Sequence, residues 1–260
     1  MTGDPHAPPK SPVANAALPG GAFIAAGRGV AAGNGWRWIA AAWDFMAPQR
    51  WTFVGVSLLL VVVLIAVQLV PLIGLFASTV LTPLVAGGFI LGCDAVRRGG
   101  QLEVGHLFLG LRRSGGKLAA IGAVYLGCLV VIAIVMVALL GASLTAMLLG
   151  LSAPSLAELG GMGSMILLAL LIGLAITLPI CMALWFAVPL VVLADFDVSA
   201  ALKTSFFACL KNVVPFLVWS VIVLLLAILA TMPLWVGWLL LIPVIMVSMY
   251  TGYRDVFHET

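Results

Sequence analysis

The sequence predicts an all-α membrane protein whose six transmembrane helices form three units, each an interfacial amphipathic helix followed by a transmembrane hairpin. Three observations support this fold class. Of the 260 residues, 64% are hydrophobic and only 8% are charged, whereas a soluble domain carries roughly 45–50% apolar and about 25% charged residues. Six apolar runs are long enough to cross a bilayer. All Lys and Arg residues fall on one side of the resulting topology.

The six apolar runs each approach or exceed the roughly 20 residues that a helix needs to cross a hydrocarbon core of about 30 Å. They are Trp51–Val70, Leu72–Gly92, Leu118–Leu149, Met165–Ala194, Val213–Ala230 and Leu234–Tyr253. The third and fourth runs are longer than a span requires, so we expect them to tilt, kink or protrude. Pro179 and Pro189 are the expected kink positions in the fourth run.

The chain begins with a stretch rich in proline and glycine. Residues 1–33 lack the apolar surface that would offset the entropy of ordering, and they lack the basic and apolar regions of a signal peptide. We therefore predict a disordered cytoplasmic tail over residues 1–33 and a six-helix transmembrane domain over residues 34–258.

The positive charges predict the orientation of the six helices. All of them lie before the first run, between the second and third, between the fourth and fifth, or after the sixth. They are Lys10, Arg28, Arg37, Arg50, Arg97, Arg98, Arg112, Arg113, Lys117, Lys203, Lys211 and Arg254. Because basic loops are retained in the cytoplasm during insertion, both termini are predicted to be cytoplasmic.

Three stretches on the basic side have the periodicity of amphipathic helices. They are residues 35–47, 102–113 and 198–211. In the first stretch, the face opposite Arg37 and Asp44 is apolar and consists of Trp36, Ile39, Trp43 and Met46. Such helices suit the boundary between membrane and water, and each stretch directly precedes a pair of apolar runs. The chain is therefore interpreted as three copies of one interfacial-helix and hairpin unit.

The first and third units share a second feature. Leu81–Pro83 is followed nine residues after its proline by Gly92, and Leu241–Pro243 is followed at the same spacing by Gly252. Both motifs lie in the returning helix of a hairpin. The shared spacing supports an internal repeat.

Seven short motifs lie in a fixed order between residues 27 and 257. They are Gly27–Gly29, Gly35–Ile39, Leu81–Pro83, Val104–Phe108, Ala183–Ala187, Ser205–Asn212 and Tyr253–Phe257. Together they resemble a family of six-span bacterial inner-membrane proteins to which no activity is assigned.

The resemblance implies a six-span protein of the bacterial inner membrane and gives no activity. The sequence departs from the family at Asp94 and the pair Arg97-Arg98 after Cys93, where the family more often resembles Cys-Arg-Ala. The plan of interfacial helix and hairpin is also similar to the membrane region fused to some bacterial glycerophosphodiester phosphodiesterases. That similarity is architectural only, since the sequence has no soluble catalytic domain.

The apolar runs give no sign of catalysis or ion coupling. None of them contains Asp, Glu, Lys, Arg or His in its interior, although ion-coupled transporters usually keep such groups at membrane depth. His6, His106 and His258 are scattered along the chain, whereas a zinc site needs three or four converging ligands. We predict no enzymatic activity, no cofactor, no metal and no nucleic-acid partner.

Aromatic and basic residues predict where the protein meets the lipid headgroups. Tryptophans prefer that level of the membrane, and Lys and Arg attract anionic lipids there. The residues of this predicted lipid-facing set are Trp36, Arg37, Trp38, Trp43, Arg50, Arg112, Arg113 and Lys117. Two interpretations stay open, namely anchoring alone and binding of membrane lipids, anionic ones among them.

Three further features have predicted roles. Prolines break helices at binding sites of transporters, so Pro83, Pro179, Pro189 and Pro243 are candidates for lining a cavity. The motif Gly88–Gly92 permits close helix packing, and we expect an intrachain partner. The cluster Tyr253, Arg254 and Asp255 is the densest polar group near the end of a run.

Two functions remain after these observations. The first is a non-enzymatic scaffold, accessory or lipid-interacting protein of the inner membrane, with a membrane-protein partner that the sequence does not specify. The alternative is a transporter or lipid-handling protein for an apolar solute. An open cavity favours the alternative, whereas a tightly packed bundle favours the first.

The predicted orientation has a direct test in topology reporters fused to the chain. We expect a cytoplasmic signal from fusions after Ser114, Thr204 and Thr260 because basic residues flank these positions. Fusions near Leu72, Leu156 and Pro233 should report the opposite side. A consistent reversal at any one position would overturn the six-span topology.

Overall fold

The chain forms a series of helices joined by short connections. The computed structural model describes residues 21–70, 73–148, 156–233 and 236–259. Within these residues the regular structure is helical, apart from one isolated bridge between Phe23 and His258. The helices are α1 (Asn34–Met46), α2 (Arg50–Gln68), α3 (Ile73–Arg97), α4 (His106–Leu148), α5 (Leu156–Trp185), α6 (Ala187–Ala194), α7 (Val198–Lys211), α8 (Val213–Thr231) and α9 (Trp238–Phe257).

Six helical segments are long and apolar enough to cross a membrane. They are Asn34–Gln68, Phe76–Arg97, His106–Ala138, Leu167–Ala194, Val213–Thr231 and Trp238–Phe257. The first joins α1 and α2 through a short 3₁₀ turn at Ala47–Gln49. The prediction of an all-α chain with six candidate transmembrane helices is therefore confirmed.

The described chain divides into two compact units. The terminal unit comprises the described residues up to Ser57 and those from Lys211 onward, and so contains α1, α8 and α9. The central unit is Leu58–Leu210 and contains α3, α4, α5 and α6.

The two longest predicted spans are interrupted, as their lengths suggested. In α4 the backbone leaves helical geometry at Ser114, with φ −138° and ψ 25°, and again at Gly141, with φ 71°. The second value lies in the left-handed region that glycine adopts without steric cost. In the fourth span, Phe186 separates α5 from α6. The break begins at Trp185, four residues before Pro189, where the proline ring would collide with a helical carbonyl.

A serine from α7 closes the break between α5 and α6. In a continuous helix the Phe186 amide would donate to the Met182 carbonyl four residues earlier. Here the Phe186 amide donates to Ser205 Oγ at 2.9 Å, and the Ser205 hydroxyl donates to the Met182 carbonyl at 2.7 Å. The hydroxyl therefore satisfies both backbone groups that the break leaves without their usual partner.

Glycines bring α3 and α4 into backbone contact within the central unit. A Cβ atom added at Gly88 would collide with the carbonyl oxygens of His106 and Leu107, and one added at Gly110 would collide with the Leu84 carbonyl. A Cβ atom at Gly92 would lie 2.5 Å from Leu102 Cδ1. The expected intrachain role of Gly88–Gly92 is therefore confirmed.

Helices occupy most of the three stretches predicted to be amphipathic, and part of each predicted apolar face, including Ile39, Leu107 and Cys209, is buried against the protein. The second helix begins at His106 rather than at residue 102, and the His106 ring accepts a hydrogen bond from the Glu103 amide at 3.0 Å. The faces against the protein contain small residues, among them Gly35 and Ala42 in α1, Gly110 in α4, and Ala201, Ser205 and Ala208 in α7. Large apolar residues such as Trp36, Phe108 and Phe207 are exposed instead.

Residues 21–33 are ordered, although the sequence predicts disorder up to residue 33. The Ile24 and Arg28 amides donate to the carbonyls of Phe257 and Val256 at 2.8 and 2.9 Å. The composition of this segment did not predict this order, because backbone hydrogen bonds, a distant ion pair and the stacking of Phe23 on Phe257 hold the segment. Residues 1–20 of the predicted tail lie outside the described residues.

Substituting Gly88 with Ala tests the packing of α3 on α4. We expect the free energy of unfolding in mixed micelles to fall by about 1–3 kcal/mol, because the added methyl group overpacks the helix contact. Gly127→Ala is the matched control in α4, since a Cβ atom there meets nothing within 4 Å. The control should gain about 0.5–1 kcal/mol from helix propensity. Equal effects of the two substitutions would contradict the packing.

Candidate functional site

The carboxylate of Asp255, near the end of α9, is the centre of a polar cluster in the terminal unit. Arg28 forms an ion pair with Asp255 Oδ1 at 2.9 Å, and its Nε donates to the Asp255 carbonyl at 2.8 Å. Asn34 Nδ2 and Trp38 Nε1 donate to Asp255 Oδ2 at 2.7 and 2.8 Å. This carboxylate therefore joins residues 21–33, which we call the terminal strap, to α1 and α9.

The start of α8 holds the same strap from a second direction. Asn212 Oδ1 accepts from the Val30 amide at 2.8 Å, and Asn212 Nδ2 donates to the Arg28 carbonyl at 2.9 Å. Lys211 Nζ donates to the carbonyls of Ala26 and Gly27 at 3.0 and 3.2 Å. Asn212 precedes α8 at the N-cap position but makes no capping bond, so its side-chain amide serves the strap instead.

The other two members of the predicted polar cluster are also buried. Tyr253 packs its ring 5.3 Å from that of Phe257 and 5.6 Å from that of His258. Arg254 Nη1 lies 2.6 Å from His258 Nε2. These contacts make Tyr253, Arg254 and Asp255 part of the packed interior of the terminal unit.

An apolar groove of about 540 Å³ lies between α1 and the α8–α9 pair of the terminal unit. This volume falls within the roughly 300–1,000 Å³ that small-molecule sites occupy. Its described lining consists of Trp36, Ile39, Ala40, Trp43, Asp44, Leu226, Leu229, Ala230, Pro233, Gly237, Leu240, Leu241 and Val244. Among these residues only Asp44 carries a charge.

The tryptophans of the predicted lipid-facing set lie in different environments. Trp36 and Trp43 are 53% and 40% exposed and line the groove, whereas Trp38 is only 3% exposed and bonds to Asp255. The prediction that Trp38 faces lipid headgroups is therefore wrong.

The two arginines of the set in the terminal unit have different surroundings. The Arg50 guanidinium carbon lies 4.1 Å from the centroid of the Trp43 ring, a cation–π distance. Arg37 is exposed on α1.

The basic residues of the set in the central unit also differ from one another. Lys117 Nζ lies 2.9 Å from Asp195 Oδ1 and 3.4 Å from Asp197 Oδ1, so its charge is compensated within the protein. Arg112 and Arg113 are exposed, and their side chains form no hydrogen bond or ion pair with the residues that the structure describes. Among the members of this set in the described part of the central unit, Arg112 and Arg113 therefore remain open to an external anion.

The four prolines proposed to line a cavity do not contribute to the described lining of the groove. Pro83, Pro189 and Pro243 are buried, and Pro179 is exposed on α5. The groove is lined instead by Pro233, in the connection between α8 and α9. The prolines of the sequence indicated where helices are interrupted, but they did not predict the position of this groove.

Arg28, Asn34 and Asn212 belong to the polar cluster, although no pattern in the sequence predicts this role for them. Arg28 and Asn212 are 184 residues apart and Arg28 and Asp255 are 227 apart, so no local pattern links them. Their one shared signal is that Arg28, Asn212 and Asp255 each lie in a motif that carries the family resemblance.

The cysteine of α7 lacks the environment of a nucleophile. Burial raises the pKa of the Cys209 thiol to about 12, and a hydrogen bond with Ser205 acts in the opposite direction. The thiol therefore stays protonated at neutral pH and acts as a packing residue.

In the described part of the chain, no group of three His, Cys, Asp or Glu side chains is placed to hold a metal ion.

Comparison with known proteins adds no family to this geometry. No protein-family model matches the chain, and neither does a curated protein or a solved structure. The resemblance to six-span inner-membrane proteins, carried by motifs such as Gly27–Gly29 and Tyr253–Phe257, stays a prediction.

Removing the charge of Asp255 tests the polar cluster. We expect Asp255→Asn to lower the free energy of unfolding by about 1–3 kcal/mol, because Arg28 loses its counter-charge in a partly buried site. Trypsin cleavage after Arg28 should accelerate as the strap detaches.

Asp197→Asn is the matched control, since the Asp197 side chain is 85% exposed and its ion pair is weak. The control should keep both properties of the native chain. Unchanged cleavage after Arg28 in Asp255→Asn would show that the cluster does not hold the strap.

Proposed function

We propose that the chain is a non-enzymatic protein of the bacterial inner membrane that binds anionic lipids at its exposed arginines and assists other membrane components as a scaffold or accessory protein. The proposal rests on the six candidate transmembrane helices and on the distribution of its charges. The membrane-protein partner of such a scaffold is not specified by these features.

Exposed arginines without partners are the observation that carries the lipid proposal. Arg37 in the terminal unit, and Arg112 and Arg113 in the central unit, are exposed and make no side-chain hydrogen bond or ion pair with described residues. The carboxylates of Asp94 and Asp255 are, by contrast, already occupied by arginines. At Arg37, Arg112 and Arg113 the uncompensated charge is positive, which attracts anionic headgroups.

The exposed faces of α1, α4 and α7 support the proposed plan of three interfacial helices, each followed by a hairpin. Each helix turns small residues toward the protein, and large apolar residues such as Trp36, Phe108 and Phe207 are exposed. Exposed aromatic side chains on helices that also carry Arg or Lys suit the membrane–water boundary. We therefore place these helices at that boundary, with both termini in the cytoplasm.

The contacts of α1, α4 and α7 share one pattern, which supports the predicted internal repeat of interfacial helix and hairpin. The start of α4 packs on α3 at Gly88, and α7 bonds to the α5–α6 break through Ser205. The α1 helix packs on α9, where Thr251 Oγ1 donates to the Trp38 carbonyl at 2.8 Å. Each interfacial helix thus contacts the returning helix of a hairpin that is not its own. Two contact the preceding hairpin, and α1 contacts the last.

The groove favours a second function, the handling of an apolar solute or a lipid. Its described lining is apolar except for Asp44, as expected for a site that holds hydrocarbon. A lipid carried in the groove would connect the two functions, since the exposed arginines would recruit lipids to the same protein.

The lipid proposal is tested by titrating the purified, delipidated chain with phosphatidylglycerol and with phosphatidylcholine of the same acyl chains, using native mass spectrometry. We expect tighter binding of phosphatidylglycerol, and we expect Arg112→Gln combined with Arg113→Gln to weaken it at least about tenfold. The reason is that each arginine near an anionic surface contributes about 1 kcal/mol, and about 1.4 kcal/mol corresponds to tenfold.

Phosphatidylcholine binding is the control and should not change in this double variant. Added salt should reduce the native preference, because the arginines are solvent-exposed. The proposal fails if the native chain does not prefer phosphatidylglycerol, or if the double variant keeps the full preference.

A further inference from the structure

Asp44 is an isolated carboxylate in the wall of the apolar groove. It lies in α1 between Trp43, which also lines the groove, and Phe45. Its side chain is exposed and has no hydrogen bond or ion pair with the residues that the structure describes. Asp44 is the one charged residue of the described, otherwise apolar lining, so the groove is suited to a ligand that brings a cation.

Arg50 supplies the opposite charge beside Trp43, one of the residues that line the groove. Its guanidinium stacks on the Trp43 ring at 4.1 Å, and its Nε atom is buried with no hydrogen-bond partner in the described chain. Stacking restrains the guanidinium next to the groove. A planar guanidinium donates two parallel hydrogen bonds to a phosphate, so the second group suited to this wall is a phosphate.

The two tryptophans add a third property. Trp36 and Trp43 both line the groove and are both partly exposed. Indole faces attract ammonium groups through their quadrupole, more strongly than the faces of other aromatic side chains. Beyond them the lining contributed by α8 and α9 is hydrocarbon, with Leu226, Leu229 and Leu240 among its residues.

We infer that the groove binds one zwitterionic phospholipid whose headgroup carries a primary ammonium, since such a group, unlike choline, has N–H donors for the Asp44 carboxylate. One acyl chain lies on the apolar lining, the phosphate lies at Arg50, and the ammonium lies at Asp44 beside the tryptophans. This inference rests on the proposed binding of lipids and gives the groove a lipid class different from the anionic one that the exposed arginines attract. An anionic headgroup would leave Asp44 without a partner and repel it. A cationic amphiphile without phosphate would make no use of Arg50.

Native mass spectrometry of the full purified chain tests the site, with phosphatidylethanolamine and phosphatidylglycerol of matched acyl chains as the probes. The native chain should retain one phosphatidylethanolamine more tightly than phosphatidylglycerol after the weakly bound lipids have been removed. Asp44→Asn should lose about tenfold in phosphatidylethanolamine affinity without weakening phosphatidylglycerol. Arg50→Gln should weaken both lipids, because both carry a phosphate.

Two variants make the test specific. Asp44→Glu keeps the carboxylate and should keep the preference, which separates loss of charge from loss of folding. Asp197→Asn removes an exposed carboxylate of the central unit and should leave both affinities unchanged.

Two results would overturn the inference. One is an equal preference for phosphatidylethanolamine in the native chain and in Asp44→Asn. The other is displacement of phosphatidylethanolamine by cetyltrimethylammonium that depends on Asp44 but not on Arg50, which would indicate a site for hydrophobic cations. Neither result touches the proposed role of Arg112 and Arg113, since their effect on phosphatidylglycerol is measured separately.

Discussion

The terminal unit depends on one carboxylate that satisfies three donors from distant parts of the chain. Asp255 accepts from Arg28, Asn34 and Trp38 at 2.7–2.9 Å, and hydrogen bonds to a charged group contribute about 1.5–3 kcal/mol each. Its side chain is 13% exposed, so little water competes for it. With Asp255 in place, the terminal strap, α1 and α9 are fixed together, and the wall that α1 gives to the groove is positioned as a consequence.

In the central unit, too, one polar side chain satisfies more than one hydrogen-bonding group. A helix broken near Pro189 leaves an amide and a carbonyl that a hydrocarbon environment would not satisfy. Ser205 supplies both the acceptor and the donor from α7. In each unit a shorter helix, α1 or α7, therefore has a polar contact as well as a packing contact with a candidate transmembrane helix. These contacts fix the positions of α1 and α7 more specifically than apolar packing would.

The features that depend on local patterns could be predicted from the sequence. Length and hydropathy identified six candidate spans, and the spacing of Gly88 and Gly92 identified a close helix contact. The order of the terminal strap was not predictable in this way, because it depends on the pairing of Arg28 with Asp255 across 227 residues. The burial of Trp38 was missed for another reason. The sequence pattern of an apolar helix face is the same whether lipid or protein covers that face, so the pattern of α1 did not distinguish the two.

That ambiguity has a physical origin. Lipid tails are as apolar as leucine, so burial of large side chains does not drive helices together in a membrane, and close packing favours small residues. The residues of α1 that face the protein include the small ones as well as three large ones, whereas Trp36 and Trp43 remain partly exposed. The protein-facing residues are Gly35, Trp38, Ile39, Ala42 and Met46. Gly35 fits against α8, where a Cβ atom would lie 2.8 Å from the Trp219 amide nitrogen. Trp36 and Trp43 make no such contact and line the groove instead. Asp44 lines the same groove, although helical geometry turns it about 100° from Trp43.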